Sequence, residues 1–132
     1  MVCKSEAQQK IAQALGTTAV VETPTWRGHL YSCRYAYPNG GITLSVKELS
    51  SWGQTLSYFR GLGAALGRTE TLPDLGQDAF QVRNGSVVVR KDWKVLLVDV
   101  SGLPAQFGTP ATPSGNVAVV VADLILGCWS GD

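Results

Sequence analysis

Apolar and polar residues alternate most densely between residues 80 and 100 (FQVRNGSVVVRKDWKVLLVDV), a run rich in side chains that suit a pleated surface. The pattern predicts three consecutive antiparallel strands. Asn84-Gly85 tolerates the positive φ angles of a type I′ turn. A two-residue turn there pairs Val82 with Val87 and Phe80 with Val89, so that Phe80, Val82, Val87 and Val89 share one face and Gln81, Arg83 and Ser86 the other. The next turn, around Arg90-Lys91-Asp92, is read as three residues long, because this sets Trp93, Val95 and Leu97 on the core face where a two-residue turn would set Lys94. In either register residues 93–100 carry apolar side chains on both faces, which predicts a central strand covered on each side.

Upstream, residues 30–38 and 41–48 flank Asn39-Gly40 and predict a hairpin that pairs Tyr37 with Ile42, Tyr35 with Leu44 and Cys33 with Val46. Its core face is Cys33, Tyr35, Tyr37, Ile42, Leu44 and Val46; Ser32, Arg34, Thr43, Ser45 and Lys47 form a polar face behind it. Helical spacing occurs three times. Ser5 and Gln8 form a capping box before the stripe Ala7, Ile11, Ala14 and Leu15, which stops at Gly16. Ser51, with Gln54 three residues on, caps a helix through Trp52, Leu56, Phe59, Leu62 and Leu66 to Gly67. Residues 114–128 are apolar nearly all round, which predicts a helix that is largely buried or completed by a partner chain. Pro73-Asp74-Leu75-Gly76 turns the chain into the meander, and residues 101–115, rich in Gly and Pro, form a long loop, either a lid or a traverse. The order α-β-β-α-β-β-β-β-α defines an α+β domain: an antiparallel sheet of five or six strands packed by three helices.

The chain has 132 residues, one domain's length, and can bury about two thirds of its unfolded surface without metal or dense disulfides. Charged residues make up only 16%, a tilt toward exported domains, while a net charge of +1 without basic runs argues against nucleic acid as a partner. No apolar run reaches membrane-spanning length, and no export signal follows Met1 in this chain.

Candidate chemistry is sparse. Cys3, Cys33 and Cys128 admit a Cys3–Cys33 bridge, three buried thiols, or a pairing that uses Cys128. The bridge would staple the first helix to the hairpin and contribute roughly 3 to 4 kcal/mol. His29, the single histidine, is about 13 Å from Cys33 along an extended strand, too far for a nucleophile and base. One histidine and no CxxC give a metal site no support, and no cofactor is implied. Residues 61–67 (GLGAALG) superficially match a dinucleotide loop but close a helix instead of opening one. Asp99, a carboxylate among Leu97, Val98 and Val100, is either an edge residue or a buried, perturbed group. The remaining surface signal is the polar sheet face, where Arg34, Lys47, Arg83 and Ser45 are candidates to bind a small anionic ligand or a protein.

Four short motifs span most of the chain: Cys3 before a helix ending Ala14-Leu15-Gly16, the strand Ser32-Cys33-Arg34-Tyr35, the turn Leu75-Gly76-Gln77-Asp78-Ala79-Phe80, and Val89-Arg90-Lys91 before an apolar strand. On these the sequence resembles the actinobacterial secreted and lipoprotein domains grouped as a family of unknown function, in the style of extracytoplasmic sensor domains. The resemblance implies an envelope location, a Cys3–Cys33 bridge and no known catalytic residues. The leading expectation is a non-catalytic extracytoplasmic domain that binds a ligand or protein on the polar sheet face or beside the 101–115 loop. The contrasting expectation is a small cytosolic enzyme or enzyme subunit using Asp99 or Cys33 in a pocket under that loop. A third is a homodimer formed through the last helix.

Overall fold

The computed structural model describes residues 4–127. Along the chain it forms α1 (Ser5–Leu15), β1 (Val20–Val21), β2 (Thr25–Arg27), β3 (Leu30–Tyr37), β4 (Gly40–Glu48), α2 (Trp52–Leu66), β5 (Arg68–Thr71), β6 (Asp78–Val82), β7 (Val87–Lys91), β8 (Lys94–Asp99), β9 (Gln106–Phe107), β10 (Thr112–Pro113) and α3 (Ser114–Gly127). The α+β expectation holds, with a larger sheet than the pattern predicts. Eight antiparallel strands lie in the order β1-β3-β4-β8-β7-β6-β5, with β2 paired to β3 beside β1, and β9–β10 is a separate ribbon. The layers follow from which faces are apolar. Ala7, Ile11 and Leu15 of α1 and Val117, Ala118, Val121, Ala122 and Ile125 of α3 pack on one face, against Cys33, Tyr35, Ile42, Leu44, Val46, Val87, Val89, Leu96 and Val98. Phe59 of α2 packs on the other, against Phe80, Val82, Val88 and Val95. Strand β8 is thus covered on both sides, as its doubly apolar sequence requires.

The hairpin keeps its predicted core face in a different register. Tyr37 pairs with Gly40, Tyr35 with Ile42 and Cys33 with Leu44, so the turn residues are Pro38 and Asn39. Proline's fixed φ suits the second position of a type I turn and glycine the fourth, and Tyr37-Pro38-Asn39-Gly40 fills those places. The pairing slips by two residues, which preserves every side chain's face. In the meander the slip is by one, and faces change. Gln81 pairs with Val87 and Phe80 with Val88, leaving a three-residue connection in which only Gly85 takes positive φ, 93°. The Asn84 side chain accepts a hydrogen bond from the Ser86 amide (2.9 Å), which satisfies the turn with Asn84 outside the left-handed region. Val88 therefore joins Phe80 and Val82, and Val87 and Val89 turn to the opposite core.

The next turn is also corrected: Lys91 pairs with Lys94, so Asp92-Trp93 is a two-residue turn and Trp93 is 53% exposed instead of sitting in the core. Asp92 takes φ 55°, a conformation aspartate tolerates better than most residues. Gln77 holds it there, accepting from the Asp92 amide (2.8 Å) and donating to its carboxylate (3.2 Å).

The first two helices depart slightly from their predicted stripes. In α1 the N-cap is Lys4, without a side-chain cap bond, Ser5 is the first helical residue, and Ala14 is exposed; Gly16 ends the helix at φ 67° as expected. In α2 Ser51 Oγ accepts from the Gln54 amide (3.2 Å), but the buried line is Thr55, Phe59 and Gly63, and Trp52 is exposed. The 61–67 glycine run serves packing: a Cβ on Gly63 would lie 3.2 Å from the Phe80 ring. The long loop is a packed traverse. Phe107 is buried against Tyr37 with ring centroids 4.8 Å apart, and the Thr109 amide donates to the Leu15 carbonyl at the end of α1 (2.7 Å). Cys33 is buried and disulfide-bonded. Cys3 and Cys128 lie outside the described residues.

Candidate functional site

The residues singled out from the sequence are dispersed and largely engaged. Arg34 and Lys47 lie on the open part of the α2-side sheet face, with Ser32 and Ser45 hydrogen-bonded between them (3.3 Å). The Arg34 guanidinium pairs with Glu22 (2.9 Å), and Lys47 Nζ donates to the Gly28 carbonyl (2.6 Å). Arg83 stands apart. It follows β6, which β7 and β8 separate from β4, and its amide donates to Gly67 at the C-terminal end of α2 (2.9 Å). The structure therefore brings Arg34, Ser45 and Lys47 onto one surface and leaves Arg83 at another end of the sheet. Asp99 is a local turn acceptor for the Ser101 amide (2.9 Å) and hydroxyl (2.7 Å). His29 lies in the β2–β3 turn at φ 60°, exposed. Among the described residues no group of three His, Cys, Asp or Glu side chains gathers as a metal site.

A different feature stands out at the end of the sheet where β4 runs into α2 and β7 turns into β8. Trp52 and Trp93 are each 53% exposed, an unusual state for the largest apolar side chain. They line a hollow of about 620 Å³ together with Glu48, Leu49, Gln77, Asp92 and Lys94. Register brings these distant segments together. Glu48 pairs with Lys94 across β4 and β8, and the Leu49 amide donates to the Trp93 carbonyl (2.8 Å), fixing the Asp92-Trp93 turn beside the entry to α2.

A buried arginine supports the hollow from beneath. Arg90 is 8% exposed, and its guanidinium lies 4.6 Å from the centroid of the Trp52 ring, a cation–π contact. Arg90 Nη1 donates to Gln77 Oε1 (2.9 Å), the same oxygen that accepts from the Asp92 amide. Gln77 is itself set in place by its own amide, which donates to the Arg90 carbonyl (2.9 Å). One carboxamide thus ties together the cation that backs Trp52 and the turn that carries Trp93. Arg90 Nε is buried without a hydrogen-bond partner among the described residues, so Gln77 is the acceptor that offsets much of this guanidinium's desolvation. The result is one indole, Trp52, stacked on the guanidinium, and a turn fixed through its backbone that carries the exposed Trp93.

Sequence reasoning places both indoles inside, Trp52 on the α2 stripe and Trp93 on the core face. The usable signal is local. Trp52 directly follows an N-cap, in the exposed first turn, and Trp93 sits between Asp92 and Lys94, where a two-residue turn is available.

Further hollows among the described residues include the following two. One, of about 400 Å³, is lined by His29, Lys47, Glu48, Leu49, Ser50 and Gln54 and shares Glu48 and Leu49 with the tryptophan hollow. The other, of about 460 Å³, lies beside α1, with Tyr35 and Tyr37 in its lining. Burial pushes the Tyr37 hydroxyl up to about 12, and that oxygen has no hydrogen-bond partner among the described residues. Compared with protein-family models, curated proteins and solved structures, the chain matches none.

Proposed function

We propose that this protein is a non-catalytic extracytoplasmic domain that binds its ligand between Trp52 and Trp93. The observation that carries the reading is the two half-exposed tryptophans in one hollow, Trp52 against the Arg90 guanidinium and Trp93 on the turn that Gln77 fixes. Two half-exposed tryptophans lining one hollow offer a ligand a large apolar area, and aromatic anchors dominate binding energy at well-packed interfaces. The groups that an enzyme would have used are engaged otherwise: Asp99 in its turn and Cys33 in a disulfide. The same disulfide, the low share of charged residues and the resemblance to envelope domains support an extracytoplasmic location, with Cys3 as the partner of Cys33. Nucleic acid is not the ligand on this reading, since the near-neutral chain has no basic stripe and both Arg34 and Lys47 are internally engaged. Among the described residues no helix is long and apolar enough to cross a membrane.

Thermal shift of the wild type, Trp52→Ala and Trp93→Ala across a mixed panel of oligosaccharides and peptides tests the site. Both side chains are exposed, so each variant should fold. A compound that raises the wild-type Tm is expected to have no effect on either variant. A shift of undiminished size in both would place the ligand elsewhere and overturn the reading.

A further inference from the structure

Resting on that reading, we infer that the ligand is a neutral, linear oligosaccharide lying across both hollows at this end of the sheet. A pyranose ring presents an apolar C–H face and a rim of hydroxyls that donate and accept. The negative face of an indole attracts the slightly positive C–H groups, and planar polar side chains take the hydroxyls in pairs. The tryptophan hollow offers both kinds of contact: two indole rings, the carboxylates of Glu48 and Asp92, the Gln77 carboxamide and the Lys94 ammonium.

Charge narrows the class. Glu48 and Asp92 of the lining are matched by Lys94, which is 3.8 Å from Glu48, and by Arg90, which lies outside the lining behind Trp52, so the formal charges of these four residues cancel; the second hollow adds Lys47, whose Nζ donates to the Gly28 carbonyl. A quaternary ammonium would need an excess of negative charge, and a phosphate or sulfate an excess of positive charge. A proline-rich peptide also stacks on indoles, and it enters the test as a competing class. A hydroxyl-rich neutral ligand satisfies both acceptors and donors.

Extent follows from continuity. The second hollow shares Glu48 and Leu49 with the first and is lined further by His29, Lys47, Ser50 and Gln54. There the His29 ring meets Trp26 edge to face, centroids 5.9 Å apart, and Trp26 is 55% exposed. Trp26 lines neither hollow but borders the second through His29, so exposed indoles stand in the first hollow and just beyond the second, an extended track that suits a chain of several sugars better than a single ring.

The test is calorimetric titration of the full chain with neutral gluco-, manno- and galacto-oligosaccharides of two to six units, together with a proline-rich peptide and tetramethylammonium as competing classes. At least one sugar series is expected to bind, roughly tenfold tighter at four units than at two. Trp52→Ala and Trp93→Ala are expected to abolish binding at every length, and Trp26→Ala to remove only the gain with length. Binding without length dependence, unaffected by Trp26→Ala, overturns the extended track. Failure of all sugars, with the peptide or tetramethylammonium bound in a manner lost in Trp52→Ala and Trp93→Ala, overturns the sugar assignment and leaves the cleft as the binding site. Failure of every class, with the indole N–H resonances of Trp52 and Trp93 unmoved, overturns both readings.

Discussion

Replacing Gln77 with alanine removes three hydrogen bonds at once: Arg90 Nη1 loses its acceptor at 2.9 Å, the Asp92 amide its acceptor at 2.8 Å, and the Asp92 carboxylate its donor at 3.2 Å. The Arg90 bond dominates. It is charge-assisted and partly buried, and hydrogen bonds to charged groups are worth about 1.5 to 3 kcal/mol. The two bonds to exposed Asp92 add about 0.5 to 1 kcal/mol, which puts the total near 2 to 4 kcal/mol. The reasoning is tested by a double-mutant cycle with Arg90→Met, which removes the guanidinium that needs Gln77. In that background Gln77→Ala should cost only the Asp92 share, about 0.5 to 1 kcal/mol, leaving a coupling of roughly 1.5 to 3 kcal/mol. Urea unfolding of the four proteins, read by far-ultraviolet circular dichroism so that the tryptophans do not bias the signal, supplies the numbers. A coupling under about 0.5 kcal/mol would show that Gln77 and Arg90 act independently and that no shared frame holds the cleft.

Phe80→Ala should destabilise by about 3 to 5 kcal/mol in urea, because Phe80 is fully buried, 4.8 Å from the Phe59 ring between centroids, and closes the core under α2; a loss below about 1 kcal/mol would contradict that packing. Tyr37 keeps its proton in the folded state up to about 12 while the unfolded chain releases it near 10, so stability should be intact below pH 10 and fall as pH rises toward 12. In Tyr37→Phe that fall should shrink, with stability at neutral pH unchanged or raised by up to about 1 kcal/mol, since an unpaired buried hydroxyl is removed; an identical alkaline profile would sink the assignment. Cys3→Ser should lower stability by roughly 3 to 4 kcal/mol without reductant, and Cys128→Ser by much less. The reverse order would make Cys128 the partner of Cys33.

Most of the fold was legible in the sequence because the period of the apolar residues survives errors of pairing by two. The hairpin from Leu30 to Glu48 buries the six side chains its alternation predicts, although Pro38 moved the turn. One-residue errors are not forgiven. Asn84-Gly85 reads as a two-residue turn, yet the Asn84 side chain closes a three-residue one, and all of β7 changes face with it. At Asp92-Trp93 the deciding partner is Gln77, fifteen residues upstream, whose hydrogen bonds support the left-handed aspartate. No local pattern records that contact. The cleft was illegible for the same reason: it is assembled from Glu48 to Trp52, from Gln77 and from the turn between Arg90 and Lys94, and its neutrality appears only once these segments meet. The polar sheet face was legible as a pattern, but the cations there are held by Glu22 and the Gly28 carbonyl, partners that depend on how β1 and β2 return to the sheet.

The most direct test of the central claim is a nitrogen–proton spectrum of the tryptophan indoles during titration with a neutral tetrasaccharide that binds. The Trp52 and Trp93 resonances are expected to move together, with one midpoint, and Trp26 to move with them. Unmoved Trp52 and Trp93 indoles, with backbone shifts gathered instead around Gln8, Tyr35 and Tyr37 beside α1, would contradict the claim.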